Sequence, residues 1–246
     1  AEQVIGGRLF IEGLDCLSAR DVYTGRVIWK RKLLDLGTYG VYYDASYRDA
    51  PTDTRYNQLH IPGANIRGTN FVATLDRVYI LQGSDCVVLD SATGETVSTF
   101  RLPPLDPAAA TKTYPEWGYI GVAGDYLIGG YGFVSFSELV SATKKDYSTW
   151  DDFDVSASKG LVVMNRITGK MVWRADAEQG FLHNGIVAGK GKLYVLDRIP
   201  PAIEDQLARR GKKTEKAGRI AVFDLNTGKP VWEKRADVFG TYLSFS

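Results

Sequence analysis

Short apolar runs rich in β-branched and aromatic residues, separated by polar turns that contain glycine, are the main pattern along the chain. Residues 161–165 and 220–224 are two of these runs, and each ends on an Asn or Asp side chain. Runs of this length that are bounded by turn residues are typical of β-strands. The pattern therefore predicts an all-β chain built from short strands and hairpins.

One phrase recurs four times and divides the chain into units. An Asp or Asn stands three residues before a Thr-Gly pair, and in three copies a Trp stands five residues after the Thr. Thr-Gly supplies a turn that tolerates positive φ, and the Asx side chain can bond the amides of that turn. The four copies consist of Asp21, Thr24, Gly25 and Trp29; Asp90, Thr93 and Gly94; Asn165, Thr168, Gly169 and Trp173; and Asp224, Thr227, Gly228 and Trp232. The second copy has Ser98 at the Trp position, with Phe100 nearby.

A second hairpin precedes each phrase, with turns at 6–7, 76–77, 124–125 and 189–191. Each unit is thus predicted to hold four antiparallel strands, A to D, which is the signature of a β-propeller blade. A β-sandwich with chance Thr-Gly turns is the alternative. The predicted blades cover about 2–33, 70–102, 117–175 and 184–236, and 238–246 is predicted to be the first strand of a further blade.

Four blades and one extra inner strand favour an excised or partial chain that belongs to a larger ring. A half-ring that associates with itself is the alternative, because open blade faces would expose apolar surface. The chain begins at Ala1, without a starting Met or a basic-then-apolar leader. We therefore expect either a removed signal peptide or excision from something longer.

The phrase around Asp21 and Trp29, with Ala19 before it, resembles the tryptophan-docking phrase of pyrroloquinoline-quinone-type (quinoprotein-like) propellers. In that family the Trp of one blade packs against the Thr-Gly turn of a neighbour, and rings of six to eight blades are implied. The resemblance covers most of the chain apart from its insertions. On residues 117–120, 181–184 and 239–244 the chain is most similar to uncharacterised planctomycete-type bacterial members. More distantly it resembles the propeller lipoprotein of the outer-membrane β-barrel assembly machinery. These resemblances imply a periplasmic or other extracytoplasmic location.

The long segments of the chain are predicted to lie on one face of the propeller. The A–B and C–D turns share one face and are short, whereas the B–C and D–A connections share the other. The insertions at 34–69, 103–116, 130–158 and 198–218, with a connection at 176–183, fall on this second face. Elaborated loops on a rigid scaffold commonly carry binding residues. Loops that only pack on the blade tops are the alternative.

Residues that border the inner strands on this long-loop face are expected to ring the mouth of the central channel. The candidates for binding are His60, Asn65, Arg67, Asn70, Trp117, His183, Asn184, Asp197 and Arg198. A polar rim of this kind suits a small ligand, a protein partner or ordered water.

Composition narrows the classes of function. Thirty basic and 29 acidic residues leave a net charge of +1, so no overall field favours nucleic acid. No apolar run reaches the roughly 18 residues of a membrane span. For the basic segment 209–219 and the acidic segment 150–154, a solvated loop is favoured over a binding site. The tyrosine-rich segment 39–56 could form a recognition surface or only pack on the blade tops. The acidic segment also lacks the glycine and distal Glu of a calcium loop.

Two functions are compatible with these patterns. The first is a non-catalytic scaffold that binds a ligand or a protein on its long-loop face. The alternative, implied by the resemblance, is a dehydrogenase that uses pyrroloquinoline quinone with calcium, or a fragment of one. That family would have adjacent cysteines over the quinone, but Cys16 and Cys86 lie far apart in the sequence, and Asn65, Asn184 and Asp197 are unplaced candidates for the calcium ligands. The two histidines lack any hydrolase or metalloprotease motif, so no catalytic residue and no metal site are predicted.

Overall fold

The computed structural model describes residues 2–13, 15–34, 36, 70–106, 108, 112–140, 156–212, 214 and 216–245. Blade 1 consists of β1 (Glu2–Ile5), β2 (Arg8–Gly13), β3 (Cys16–Asp21) and β4 (Val27–Lys32). Blade 2 consists of β5 (Phe71–Ala73), β6 (Arg77–Gln82), β7 (Asp85–Asp90) and β8 (Thr96–Arg101). In both blades consecutive strands pair antiparallel, in chain order.

Blades 3 and 4 share one seven-stranded sheet. Its strands are β9 (Trp117–Ala123), β10 (Tyr126–Phe133), β11 (Ala157–Asn165), β12 (Met171–Gly189), β13 (Lys192–Asp197), β14 (Arg219–Asp224) and β15 (Pro230–Lys234). The first part of β12 is the outer strand of blade 3, and its last part is the inner strand of blade 4. Helix α1 (Ser137–Val140) lies between β10 and β11, and helix α2 (Pro201–Arg209) lies between β13 and β14.

Apolar side chains pack between successive blades. Phe10 and Leu17 of blade 1 share one buried cluster with Ile80 and Leu89 of blade 2. A second cluster joins blades 2 and 3, and a third joins blades 3 and 4. Each sheet therefore buries a face against the next four-stranded meander, which is how a β-propeller forms its core. The prediction of an all-β propeller with four-stranded antiparallel blades is confirmed.

The connection predicted at 176–183 is not a loop, because β12 runs through it without a break. Asp176 pairs with Gly160 in blade 3, and Phe181 pairs with Asp197 in blade 4. Between these pairs, the Asp197 carboxylate accepts hydrogen bonds from the amides of Glu178 (2.8 Å), Gln179 (2.9 Å) and Gly180 (3.0 Å). These bonds hold the crossing extended, a constraint that is invisible in the local sequence.

Residues 235–245 form no strand, so the extra inner strand predicted near the end of the chain is not formed. This tail packs on the face of blade 4 that points away from blade 3. The Leu243 amide donates to the carbonyl of Asn184 at 3.1 Å, and the Phe245 ring lies 5.7 Å from that of Tyr194. One backbone hydrogen bond to a neighbouring strand is too few for a sheet ladder.

The two ends of the blades differ in the described residues. On the tight-turn face each A–B turn is hydrogen-bonded to the C–D turn of its own blade. For example, the Val22 amide donates to the Gly7 carbonyl, and the Arg166 amide donates to the Asp125 carbonyl, both at 3.0 Å. The opposite, long-loop face carries α1 and α2. The insertions predicted at 34–69 and 130–158 fall largely outside the described residues, at 37–69 and 141–155.

No helix in the described part of the chain is long and apolar enough to cross a membrane.

Candidate functional site

The predicted binding-face residues that the structure describes do not form one exposed rim. His60, Asn65 and Arg67 lie outside the described residues, as do the tyrosine-rich segment 39–56 and the acidic segment 150–154. Of the remaining six, Asn184 is exposed and Asn70 is half-buried. The other four are buried: Trp117, His183, Asp197 and Arg198.

Asn70 and Trp117 link structural elements to one another. The Asn70 side-chain amide donates to Glu12 Oε1 and to the Leu36 carbonyl, both at 2.9 Å. The Trp117 indole Nε1 donates to the Ser84 carbonyl of blade 2 at 3.2 Å. Their polar groups are therefore engaged within the protein and do not face a ligand.

His183 forms a buried pair with Ser158, a residue that sequence reasoning missed. Ser158 Oγ lies 2.9 Å from His183 Nε2, and the rings of Tyr119 and Phe133 flank the imidazole at about 6 Å. Burial raises the pKa of Tyr119 to about 12. A Cβ at Gly130 would lie 2.2 Å from Ser158 Oγ, so the backbone closes on this pair. Ser158 is fully buried and His183 is nearly so.

Asp197 and Arg198 are engaged by the segments that cover the long-loop end of blade 4. Besides the three amides, Asp197 accepts a hydrogen bond from Arg219 Nε at 2.9 Å. Arg198 is ion-paired with Glu204 of α2, and its Nη1 donates to the carbonyls of Val238 and Gly240 in the tail. These polar strand ends are buried because helix and tail pack over them, the reverse of the exposed rim expected from the sequence.

A cavity of about 690 Å³ opens on the long-loop face, between α1, α2 and the crossing of β12. Four apolar side chains form part of its wall: Val134, Leu139, Ile199 and Leu207. Charged side chains from both insertions and from β12 also line it: Glu138, Glu178, Lys212 and Lys216. Its volume lies in the range of about 300–1,000 Å³ that is usual for small-molecule sites.

Glu178 carries the clearest electrostatic feature of this cavity. Arg235 donates to its carboxylate at 2.8 Å, Arg219 Nη1 lies at 2.8 Å, and Lys216 Nζ lies at 3.6 Å. The hydrogen bond from Arg235, together with the charges of Arg219 and Lys216, lowers the pKa of Glu178 to about 2. The carboxylate is therefore ionised at neutral pH and held in place. Sequence reasoning treated Lys216 and Arg219 as parts of a solvated basic loop, because the carboxylate that they meet lies on a distant strand.

The four Asx-Thr-Gly turns share one hydrogen-bond pattern on the tight-turn face. Asp21 Oδ1 accepts from the Thr24 amide at 2.7 Å and from the Thr24 hydroxyl at 2.8 Å. The Thr24 hydroxyl and amide bonds lower the pKa of Asp21. Asp90, Asn165 and Asp224 accept the equivalent bonds in their turns. The four glycines have φ between 68° and 73°, in the left-handed region that favours glycine.

An aromatic ring from the preceding blade lies over three of these turns. Trp29 covers Gly94 and donates from Nε1 to the Ser91 carbonyl at 3.1 Å. Trp173 covers Gly228 and donates to the Leu225 carbonyl at 2.8 Å. Phe100 covers Gly169 although Ser98, two residues earlier, holds the strand register of the tryptophans. Trp232 covers no turn and is 46% exposed.

The described residues do not fit a calcium–quinone site. They contain no group of three or more His, Cys, Asp or Glu side chains that could hold a metal ion. Both Asp197 oxygens already accept backbone amides or Arg219. Cys86 is buried in blade 2, where burial raises the pKa of its thiol, and Cys16 lies on blade 1. Asn65 lies outside the described residues.

No family model and no curated protein matches the chain. Among solved structures, it is similar to BamB from Moraxella catarrhalis, with 14% identity, a TM-score of 0.45, and coverage of 95% of this chain and 47% of that one. It is also similar to the quinohemoprotein alcohol dehydrogenase ADHIIG from Pseudomonas putida HK5, with 14% identity, a TM-score of 0.50, and coverage of 95% and 33%. The chain thus spans about a half and a third of their lengths. At this identity the second likeness shows a β-propeller fold and nothing about activity.

Proposed function

We propose that this chain is a non-catalytic binding scaffold whose ligand or protein partner meets the long-loop face. The observation that carries the proposal is the cavity of about 690 Å³ between α1, α2 and the crossing of β12. Two separate insertions converge there on a rigid base of paired strands. Binding residues are commonly found on loops that a scaffold holds in this way.

The chemistry of the cavity supports binding better than catalysis. Its described lining combines an apolar wall with charged groups and contains neither histidine nor cysteine. With a pKa of about 2, Glu178 is too weak a base to remove a proton at neutral pH. Lys212 and Glu138 project charges of opposite sign at exposed positions, which suits orientation of a partly polar, partly apolar ligand.

The dehydrogenase alternative has weaker support, because the described residues do not fit its quinone and calcium. Titration with pyrroloquinoline quinone and calcium tests it through the fluorescence of the five tryptophans. We expect no saturable quenching. Saturable quenching at micromolar quinone would contradict a scaffold without a cofactor.

The periplasmic or other extracytoplasmic location is part of the same proposal and is supported by the sequence resemblance. Fractionation of the native host, followed by immunodetection of the chain, checks it. A chain recovered only with cytoplasmic markers would contradict the location and leave the binding proposal unaffected.

A fragment screen tests the cavity directly. Amide chemical shifts in NMR spectra are recorded with a library of small carboxylic acids, amines and neutral aromatic compounds. We expect the shifts that change to cluster around residues 134–139, 178–179 and 199–216. Leu139→Arg places a bulky cation in the cavity wall, at an exposed position on α1, and should weaken binding at least tenfold. The matched control is Ile167→Arg, another exposed apolar residue, on the tight-turn face, which should leave binding unchanged. Fragments that bind the other face, or none that bind, would refute the proposal.

A further inference from the structure

The floor of the long-loop cavity, formed by Glu178 and Gln179 of β12, is held in place by internal hydrogen bonds. The Gln179 side chain bonds both ends of the α2 insertion. Its Oε1 accepts from the Ile199 amide at 2.9 Å, and its Nε2 donates to the Lys216 carbonyl at 2.6 Å. The amides of Glu178 and Gln179 donate to Asp197, whose side chain is fully buried. The floor is therefore a fixed base whose own polar groups are already engaged.

The two walls of the cavity, formed by α1 and by α2 with the segment that follows it, are packed against each other through a shared core. Phe136 and Val140 on the α1 side belong to one buried cluster with Ile203 and Leu207 of α2. The side chains at the centre of this cluster are almost completely buried. The opening between the walls is therefore held by packing within the chain, as in the largely pre-formed sites that bind small molecules.

The charges around the floor balance one another. Each member of this cluster lies within 3.6 Å of a partner of opposite sign. The cluster consists of three carboxylates and three cations: Glu178, Asp197, Glu233, Lys216, Arg219 and Arg235. Its formal charge is zero, so as a unit it selects neither an anion nor a cation. The charge preference of the cavity must come from the rest of its lining.

Two charged side chains of the lining lie outside this cluster, one on each wall. Glu138 is in the first turn of α1, and Lys212 follows the last residue of α2 by three positions. Both are exposed, and neither side chain makes an ion pair or a hydrogen bond with any residue that the structure describes. A ligand with one charge would meet one of them with the wrong sign. A ligand with both charges can satisfy the two walls together.

The remaining lining suits a peptide. The apolar side chains, among them Leu139 and Leu207, can pack against apolar side chains of a ligand. The hydroxyls of Ser135 and Thr214 also line the cavity and make no hydrogen bond within the described part of the chain. A hydroxyl can both donate and accept, and each peptide unit of a ligand carries one N–H and one C=O that need partners. Apolar surface, hydroxyls and two opposite charges together match the groups of a short peptide.

We propose, on the premise that this cavity is the binding site of the scaffold, that its ligand is a short apolar peptide with both termini free. The N-terminal ammonium of the peptide lies against Glu138 and its C-terminal carboxylate against Lys212. A sphere of 690 Å³ is about 11 Å across, which is the span of about three extended residues. A free amino acid carries both charges on one carbon atom and leaves much of this volume empty, so a tripeptide fits the cavity better.

NMR titration of the chain with the tripeptide Leu-Ala-Leu tests this ligand class. The free tripeptide is compared with its N-acetylated form, its C-amidated form and the form blocked at both ends. We expect the free tripeptide to change the amide shifts of residues 134–139, 178–179 and 199–216. Blocking either end should weaken binding about two- to fivefold, as for an exposed ion pair. Because salt screens exposed charges, this difference should shrink in about 0.5 M sodium chloride.

Two variants assign each terminus of the peptide to its partner. Amidation should no longer weaken binding to Lys212→Gln, and acetylation should no longer weaken binding to Glu138→Gln. The matched controls are Lys229→Gln and Glu95→Gln, which remove exposed charges beside turns of the tight-turn face. Both controls should bind all four peptides like the wild type. Losses on blocking that persist in Lys212→Gln or Glu138→Gln would overturn the assigned contacts.

Failure of the ligand class is distinguishable from failure of the binding site. Blocked tripeptides that bind the cavity as tightly as the free one would overturn a peptide with free termini and leave the cavity as a binding site. The same holds if no tripeptide binds while other compounds of the fragment screen change the shifts of the cavity residues. If no compound of any class binds there, the binding site itself is refuted, and the ligand class with it.

Discussion

Alanine in place of Gly94 or Gly25 compares a covered turn with an open one. Both glycines have nearly the same backbone, with φ of 73° and 71°. An L-residue in this region costs about 1–2 kcal/mol, and this cost is common to the two substitutions. They differ in what the new methyl group meets. At Gly25 it meets no described atom outside residues 24–26 within 4 Å, whereas at Gly94 it would lie 2.6 Å from the Trp29 ring.

The Trp29 ring has little freedom to move away. It is 8% exposed, lies 6.0 Å from the Phe10 ring and donates to the Ser91 carbonyl. Forcing an extra methyl group into a packed contact costs about 1–3 kcal/mol. Gly94→Ala should therefore lower the free energy of unfolding by about 2–5 kcal/mol, and Gly25→Ala by about 1–2 kcal/mol.

Urea unfolding followed by circular dichroism measures both values. The protein is kept at low micromolar concentration, so that association does not contribute, and the slope m must agree between variants for the comparison to hold. Equal losses for the two substitutions would show that the Trp29 ring does not constrain Gly94. A larger loss at Gly25 would refute the assignment of the open turn.

The other two predictions concern a ring pair and a charge cluster. Trp173→Ala should lower the free energy of unfolding by about 3–5 kcal/mol, as for a buried Trp. Trp232→Ala, at the same strand register, should lower it by only about 1–2 kcal/mol, because nearly half of that side chain is already in water. Urea unfolding of both variants checks this, and equal losses would contradict it. Glu178→Gln should cost about 0.5–1 kcal/mol at pH 7, as for a partly exposed ion pair. Because the folded pKa lies below the usual 4.5, at about 2, the stabilisation is present above about pH 4.5 and is lost as the pH falls toward 2. The difference in free energy of unfolding between wild type and Glu178→Gln should shrink from pH 7 to pH 4 and pH 3. A difference that grows at low pH would refute the role of Arg235.

The repeated turns were predictable because their chemistry is local. Asp21, Thr24 and Gly25 lie within five residues, so their spacing alone indicates the turn that the structure contains. The order of strands followed from the same repeat. The ring over Gly169 was harder to predict, because Phe100 takes the place of a Trp that the repeated phrase would put two residues earlier. Which side chain fills a junction depends on the shape of the neighbouring blade as well as on register.

The binding face was harder to predict, because its contacts join residues that are distant in the sequence. Asp197 was expected at an exposed rim, but amides that lie 17 to 19 residues away enclose it. Glu178 attracted no attention in the sequence, although Arg235 reaches it across 57 residues. A polar residue at a strand end can face water or be covered by an insertion, and the pattern of one strand does not distinguish these cases. Whether the strand end is exposed or covered depends on the relative placement of β12, α2 and the tail.

The two faces of the propeller carry different constraints, and this separation favours the functional proposals. On the tight-turn face, each of the three covered turns must match the ring of the preceding blade, so a change at Gly94 or Gly228 disturbs a junction between two blades. On the long-loop face, α1 and α2 lie outside the clusters that join successive blades, and they share a separate core with Leu196. The insertions can therefore shape a cavity without loss of the packing that builds the propeller.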